Sequence, residues 1–141
     1  MSFYIDGKYQ CSGIFDHSKI KDKDKRFEEM AKSLCRCIEE WKPDVVVFED
    51  TDLQTNAAVM KRLSQMQGII MGACIAANLP YFILKPSVWR SGLGFEQGPK
   101  VKREELKVQA VNWVRENLGL NLPEDQAEAV CIGAAFGKMM G

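Results

Sequence analysis

Three carboxylates stand where an apolar core gives them no reason to be. Glu49 closes the run Asp44-Val45-Val46-Val47-Phe48-Glu49, and Asp125 and Glu128 sit in Leu122-Pro123-Glu124-Asp125-Gln126-Ala127-Glu128-Ala129-Val130. A carboxylate at the rim of a core costs free energy unless a positive partner meets it. Asp125 and Glu128 are three residues apart, so on a helix they share a face. They also fall in the first turn, where the helix dipole favours negative charge, and capping alone is a sufficient reason for such residues. Glu124 beside them serves that purpose. The segment that follows, Ala129-Val130-Cys131-Ile132-Gly133-Ala134-Ala135, is apolar nearly all round, which turns the helix start toward a sheet rather than toward open solvent. If Glu49 joins the pair, three like charges converge and a divalent cation is the natural remedy. Ligation by oxygen alone suits Mg2+, with Mn2+ possible, rather than zinc. Two such ions about 4 Å apart activate water and stabilise the leaving oxygen in phosphodiester hydrolysis.

Positive charge is placed to match. The chain has 141 residues and zero net charge, which argues against a wholly basic nucleic-acid binder. Lys100, Lys102, Arg103 and Lys107 nevertheless cluster, and Lys85, Arg90, Lys61 and Arg62 are candidates to lie near them. A local basic patch on a neutral chain still binds phosphates. Trp89, followed by Arg90 and a glycine-rich stretch, is either a core anchor or a base-stacking contact. Cys11, Cys35, Cys37, Cys74 and Cys131 are odd in number and follow no framework spacing, so they read as reduced thiols. Cys35-x-Cys37 is not a metal spacing, and His17, the only histidine, reads as a solvent-facing loop residue.

The elements that must position these groups are legible in outline. Phe3–Ile5, the turn Asp6-Gly7 and Tyr9–Phe15 form a hairpin signal. Phe27, Met30, Ala31, Leu34, Ile38 and Trp41 recur at helical spacing from about Asp24 to Trp41, and Lys42-Pro43 stops the helix. Val45–Phe48 suits a parallel strand covered on both faces. Asn56 caps a helix from about Ala57 to Ala77, and Asn78 takes a left-handed position before Pro80. Tyr81–Leu84 is a second buried strand, ended by Pro86, and Gly92–Pro99 is a loop. A helix from about Val101 to Leu118 ends at Gly119, and Pro123 opens a last helix reaching about Met139. Trp41 and Trp113 are expected core anchors; the methionines are expected in core or dimer packing. The order is α/β in a single domain, residues 1–141. No apolar run reaches the roughly 20 residues of a membrane helix, and the N-terminus has no signal features, so a cytoplasmic protein off the membrane is expected. Ligands in such sheets gather beyond the carboxyl ends of the strands, where Glu49 stands.

These pieces, in this order, resemble the RuvC-type Holliday-junction resolvases of the ribonuclease H-like superfamily. Pro43–Glu49 resembles the family's strand ending in a catalytic glutamate. Asn56-Ala57-Ala58 through Leu63-Ser64-Gln65-Met66-Gln67-Gly68 resembles the helix after it, Leu79-Pro80-Tyr81 the entry to the next strand, and Asp125-Gln126-Ala127-Glu128-Ala129 the acidic helix start. Pro86-Ser87-Val88-Trp89-Arg90 is closer to the phage and prophage branch. The resemblance implies a ribonuclease H-like mixed sheet flanked by helices. It implies Glu49, Asp125 and Glu128 as catalytic metal ligands, and the basic helix with Lys100, Lys102, Arg103 and Lys107 as a contact to branched DNA. Lys85, Trp89 and Arg90 are expected to join that contact from their charge and neighbours. It also implies a homodimer with the helix after Glu49 in its interface. Two departures qualify it. The family's first, central strand with a further catalytic aspartate has no counterpart before Met1, and Asp6 is explained by its turn. From that, a start placed too far downstream and impaired cleavage are expected. The segment Asp50–Thr55 also lacks the aromatic wedge of some resolvases. The rival readings are a catalytically impaired DNA-binding or dimerisation module of the same fold, and an enzyme acting on a small phosphorylated metabolite. The latter lacks a glycine-rich phosphate loop.

Overall fold

A computed structural model describes residues 1–52 and 55–141. In chain order the elements are β1 (Ser2–Ile5), β2 (Lys8–Ser12), α1 (Lys23–Trp41), β3 (Val46–Glu49), α2 (Ala57–Ala76), β4 (Tyr81–Leu84), α3 (Pro86–Gly92), α4 (Arg103–Leu118) and α5 (Glu124–Met140). The described strands form two separate two-stranded sheets, β1–β2 and β3–β4, where one mixed sheet was expected. The chain divides into two compact units, Met1–Ile14 with Leu84–Gly141, and Phe15–Ile83.

The first unit is a hairpin packed on helices. Asp6 (φ 49°) and Gly7 (φ 74°) both adopt positive φ, the requirement of a type I′ turn, and Asp-Gly supplies it at little steric cost. The strands pair Ser2 with Ser12 and Phe3 with Cys11, then Tyr4 with Tyr9 and Ile5 with Lys8, so Gln10 is the extra residue of a bulge. Both strands contact α5, which also packs on α3 and α4. The core of this unit is Trp89, Ala110, Val114, Ala127, Val130, Cys131 and Ala135, all fully buried. Small residues on α4 and α5 let the two helices approach, and the Cys131 thiol donates to the Ala110 carbonyl across the contact (3.7 Å).

The second unit is built on α1, α2 and the β3–β4 pair. Asp22 caps α1, its Oδ1 accepting from the backbone N–H groups of Asp24 (2.9 Å) and Lys25 (3.2 Å). Lys42 ends the helix in the left-handed conformation, donating its N–H to Ile38 O at 3.0 Å, and Pro43 prevents continuation. Asn56 caps α2 in the same manner as Asp22, accepting from Ala58 N (3.0 Å) and Val59 N (3.2 Å). Asn78 takes the predicted positive φ of 57°. Val46 N donates to Pro80 O at 3.0 Å where the strand pair begins.

Three sequence expectations change. Pro86 does not merely end β4: it occupies the first position of α3, where its missing N–H is harmless. Trp41 is 42% exposed rather than a core anchor. His17 is in a loop but does not simply face solvent: it is half-buried, and its Nε2 shares a hydrogen bond with Ser33 Oγ at 3.1 Å.

Candidate active site

Asp125 and Glu128 belong to the first unit and rise from the opening of α5. Pro123 occupies the cap position and offers no side-chain acceptor, so the first turn is closed by the Ala127 N to Pro123 O bond of 2.8 Å. Its remaining N–H groups and the dipole favour nearby negative charge. Glu124 answers Lys107 across to α4, Oε2 to Nζ 3.6 Å. Asp125 is exposed and enters no ion pair among the described residues, while Glu128 is half-buried. The charge on Glu128 is felt inside the core: burial first, and then this carboxylate, push the Cys131 thiol up to about 12.

The hairpin holds this helix by its hydroxyls. Ser2 Oγ donates to Ala129 O (2.7 Å) and Tyr4 Oη to Val130 O (2.6 Å). Gln126 Nε2 donates to Ser12 Oγ (2.7 Å), which also bonds the Tyr9 hydroxyl (2.9 Å). Burial raises the Tyr4 phenol well above its ordinary pKa, with the Cys131 and Tyr9 groups adding to it. Sequence reasoning missed Tyr4, Ser12 and Gln126. The available signal was the alternation of Ser2 and Tyr4, which puts two hydroxyls on one face of β1.

The expected cations are also in the first unit. Lys100 and Lys102 are exposed just ahead of α4, exposed Arg103 is its first residue, and Lys107 follows one turn later. Lys85 is exposed at the cap position of α3. Arg90 lies with its guanidinium 5.1 Å from the Trp89 ring centroid, and its Nε is buried without a hydrogen-bond partner among the described residues. Trp89 itself is a correction. Its indole is fully buried and meets Phe95 edge-on at 5.6 Å, so it has no exposed face on which a base could stack. Lys61 and Arg62 lie on α2, in the other unit.

Glu49 is the last residue of β3, half-buried, in the unit Phe15–Ile83. The segment after it is tied down locally: Thr51 Oγ1 donates to Gln67 Oε1 of α2 at 3.1 Å, and Thr51 N donates to Asp50 Oδ1 at 2.9 Å. Of the expected wedge segment, Leu53 and Gln54 lie outside the described residues. Among the described residues of either unit, no three His, Cys, Asp or Glu side chains gather as a metal-holding group. The structure therefore brings Asp125 and Glu128 together on one helix turn and does not add Glu49 to them within a unit. The donors themselves, carboxylate oxygens with no sulfur or imidazole among them, fit Mg2+ or Mn2+.

No family model matches the chain. Crossover junction endodeoxyribonuclease RuvC of Nitratidesulfovibrio vulgaris is 26% identical over 106 residues, 75% of this chain and 64% of that protein. RuvC of Caldicellulosiruptor saccharolyticus is 26% identical over 124 residues, 85% of this chain and 70% of that protein. The chain thus spans a little under two thirds of the length of the first of these relatives. Among solved structures, Thermus thermophilus RuvC in complex with Holliday junction substrate superposes with a TM-score of 0.73 at 17% identity, covering 94% of this chain and 81% of that one. Thermus thermophilus RuvC alone gives 0.71 at 16% identity, covering 94% and 78%. The fold is therefore that of RuvC, an α/β ribonuclease H-like architecture, and the likeness read from the sequence holds.

Proposed function

We propose that this chain is a metal-dependent, structure-specific DNA endonuclease, a crossover-junction endodeoxyribonuclease that resolves Holliday and related branched junctions by phosphodiester hydrolysis. One observation carries the reading: a RuvC fold over 94% of the chain that keeps acidic residues together at the opening of α5. Residues 1–141 act as a single nuclease domain. Glu49, Asp125 and Glu128 hold Mg2+, or Mn2+ in its place, and the bound metal supplies a water nucleophile at neutral pH and charge stabilisation at the leaving oxygen. Lys85, Arg90, Lys100, Lys102, Arg103 and Lys107 grip backbone phosphates, so affinity falls steeply as salt rises. The working form is a homodimer with α2 in its interface. Among the described residues, no helix is long and apolar enough to cross a membrane.

Four-way-junction cleavage and binding, measured side by side with Mg2+ and Mn2+, test this. Glu49→Gln and Asp125→Asn are expected to abolish cleavage and leave junction affinity within a few-fold of the parent. Equal loss of binding and cleavage counts against both as ligands. That no three His, Cys, Asp or Glu side chains gather among the described residues favours a second reading, a module of the same fold that binds junctions without cutting them. Tight junction binding with no cleavage by the unmodified chain in either metal selects it.

A further inference from the structure

We propose that Ser12 and Gln126 are positioning residues whose hydrogen bond sets the rotation of α5 and thereby aims Asp125 and Glu128; the inference rests on the metal-ligand reading above. Residues 126, 129, 130, 133 and 137 form a continuous stripe along α5, and the hairpin touches nearly every one. Gln126 meets Ser12, Ala129 meets Ser2, and Val130 meets Tyr4. A Cβ built on Gly133 would run into the Tyr4 ring, and one on Gly137 would come 3.5 Å from the Gly7 Cα. Of these hairpin contacts, the Gln126–Ser12 bond is the one that lies between the two carboxylates in sequence. That turn has no side-chain cap of its own. Ser12 is fixed in turn by Tyr9, whose ring meets that of Tyr4 edge-on at 5.8 Å. The hydroxyl is therefore a rigid peg rather than a rotor.

The sensitivity follows from helix geometry. Side-chain tips lie about 5–6 Å from a helix axis, so a roll of about 20° carries a carboxylate oxygen about 2 Å sideways. Metal–oxygen bonds are only about 2.0–2.6 Å long and do not survive such a shift. Catalytic groups need placement to about 0.5 Å. Deleting the peg removes the hairpin's hold on the first turn, which keeps the Glu124–Lys107 pair and buried Ala127. Ser2 and Tyr4 still hold the second, so the aim of the carboxylates and metal affinity suffer before the fold does.

The test measures Mn2+ binding by loss of the free-ion electron paramagnetic resonance signal, alongside junction affinity, cleavage rate and thermal melting. Ser12→Ala and Gln126→Leu are expected to weaken Mn2+ binding tenfold or more with junction affinity within twofold, and Ser12→Thr, which keeps the hydroxyl, to restore it. If Ser12→Ala fails to fold, Gln126→Leu decides, since it retains the half-buried bulk. Parent-like Mn2+ binding by Gln126→Leu overturns the proposal, as does Mn2+ binding by Ser12→Thr as weak as that of Ser12→Ala. Asp125→Asn separates the two levels. If it loses Mn2+ while Ser12→Ala and Gln126→Leu keep it, positioning alone fails. If Asp125→Asn binds Mn2+ like the parent, the ligand reading fails and the positioning role with it.

Discussion

Gly133→Ala ought to destabilise a helix that alanine ordinarily strengthens. Alanine in place of glycine returns about 1 kcal/mol of helix propensity in an open helix interior. Here the added methyl would lie 2.7 Å from Tyr4 Cδ2 and 3.1 Å from Tyr4 Cζ, with Cε2 closer still. Comfortable carbon contacts begin at about 3.5 Å. The ring cannot slip aside cheaply: its hydroxyl is held by Val130 O at 2.6 Å, and Tyr9 stands edge-on at 5.8 Å. Overpacking of this kind costs about 1–3 kcal/mol, and giving up the phenol hydrogen bond adds about 1 kcal/mol. Subtracting the propensity gain leaves a net loss of about 1–3 kcal/mol, read as a shift of the urea midpoint at constant slope. With the ring removed the sign should reverse. In a Tyr4→Ala background, Gly133→Ala should be neutral or stabilising by up to about 1 kcal/mol, a coupling of roughly 1–4 kcal/mol between the two sites. Gly133→Ala as stable as the parent, with Tyr4 present, refutes the close fit of hairpin and helix.

Two further outcomes follow from the thiols. The Cys131 pKa stands at about 12 in the fold against 9.0 for a free thiol, so the native state keeps a proton that the unfolded chain releases. Stability from this source is complete below pH 9 and is lost as pH rises through the folded value, at about 1.4 kcal/mol per pH unit. Denaturation midpoints should fall between pH 9 and 11, and Cys131→Ala should flatten that fall; an unchanged slope in the variant counts against the assignment. In the native state iodoacetamide should label exposed Cys35 first and spare Cys74 and Cys131, which are fully buried and whose thiols burial pushes up. Peptide mass spectrometry gives the order, and early labelling of Cys131 refutes its burial.

What could be read from the sequence was local chemistry. Asp6-Gly7, Asn56, Asn78 and Gly119 each impose a cap or turn within a few residues, and each appears where expected. The acidic pair was legible for the same reason, since three-residue spacing on a helix settles a shared face whatever lies around it. Pro86 misled because a proline that ends a strand and one that begins a helix look alike until the next turn is seen. Trp89 was ambiguous because Arg90 and the glycines beside it suit a surface loop, whereas its burial depends on α5 packing against α3 from a distant part of the chain. The pegs on the hairpin were invisible: Ser12 and Gln126 are 114 positions apart, and neither is unusual in its own neighbourhood. Nor does any spacing rule bring Glu49 to the α5 pair.

The charge pattern at the start of α4 adds weight to the functional reading, because folding alone argues against it. A helix N-terminus repels cations, at about 0.3–1 kcal/mol each near the surface, yet Lys100, Lys102 and Arg103 crowd this one. Glu104 and Glu105 in the first turn offset the strain, but do not explain why the cations are there. Lys107 reaches Glu124 at 3.6 Å, so the basic approach to α4 and the acidic opening of α5 meet at one corner of the first unit. Asp125 and Glu128 would repel the phosphate they are proposed to help cleave. Cations at this corner offset that repulsion within the Debye length, about 8 Å at physiological salt, and the pair that Lys107 makes is with Glu124. An array unfavourable to its own helix, at the same corner as an acidic turn, suits the polyanion binding proposed above.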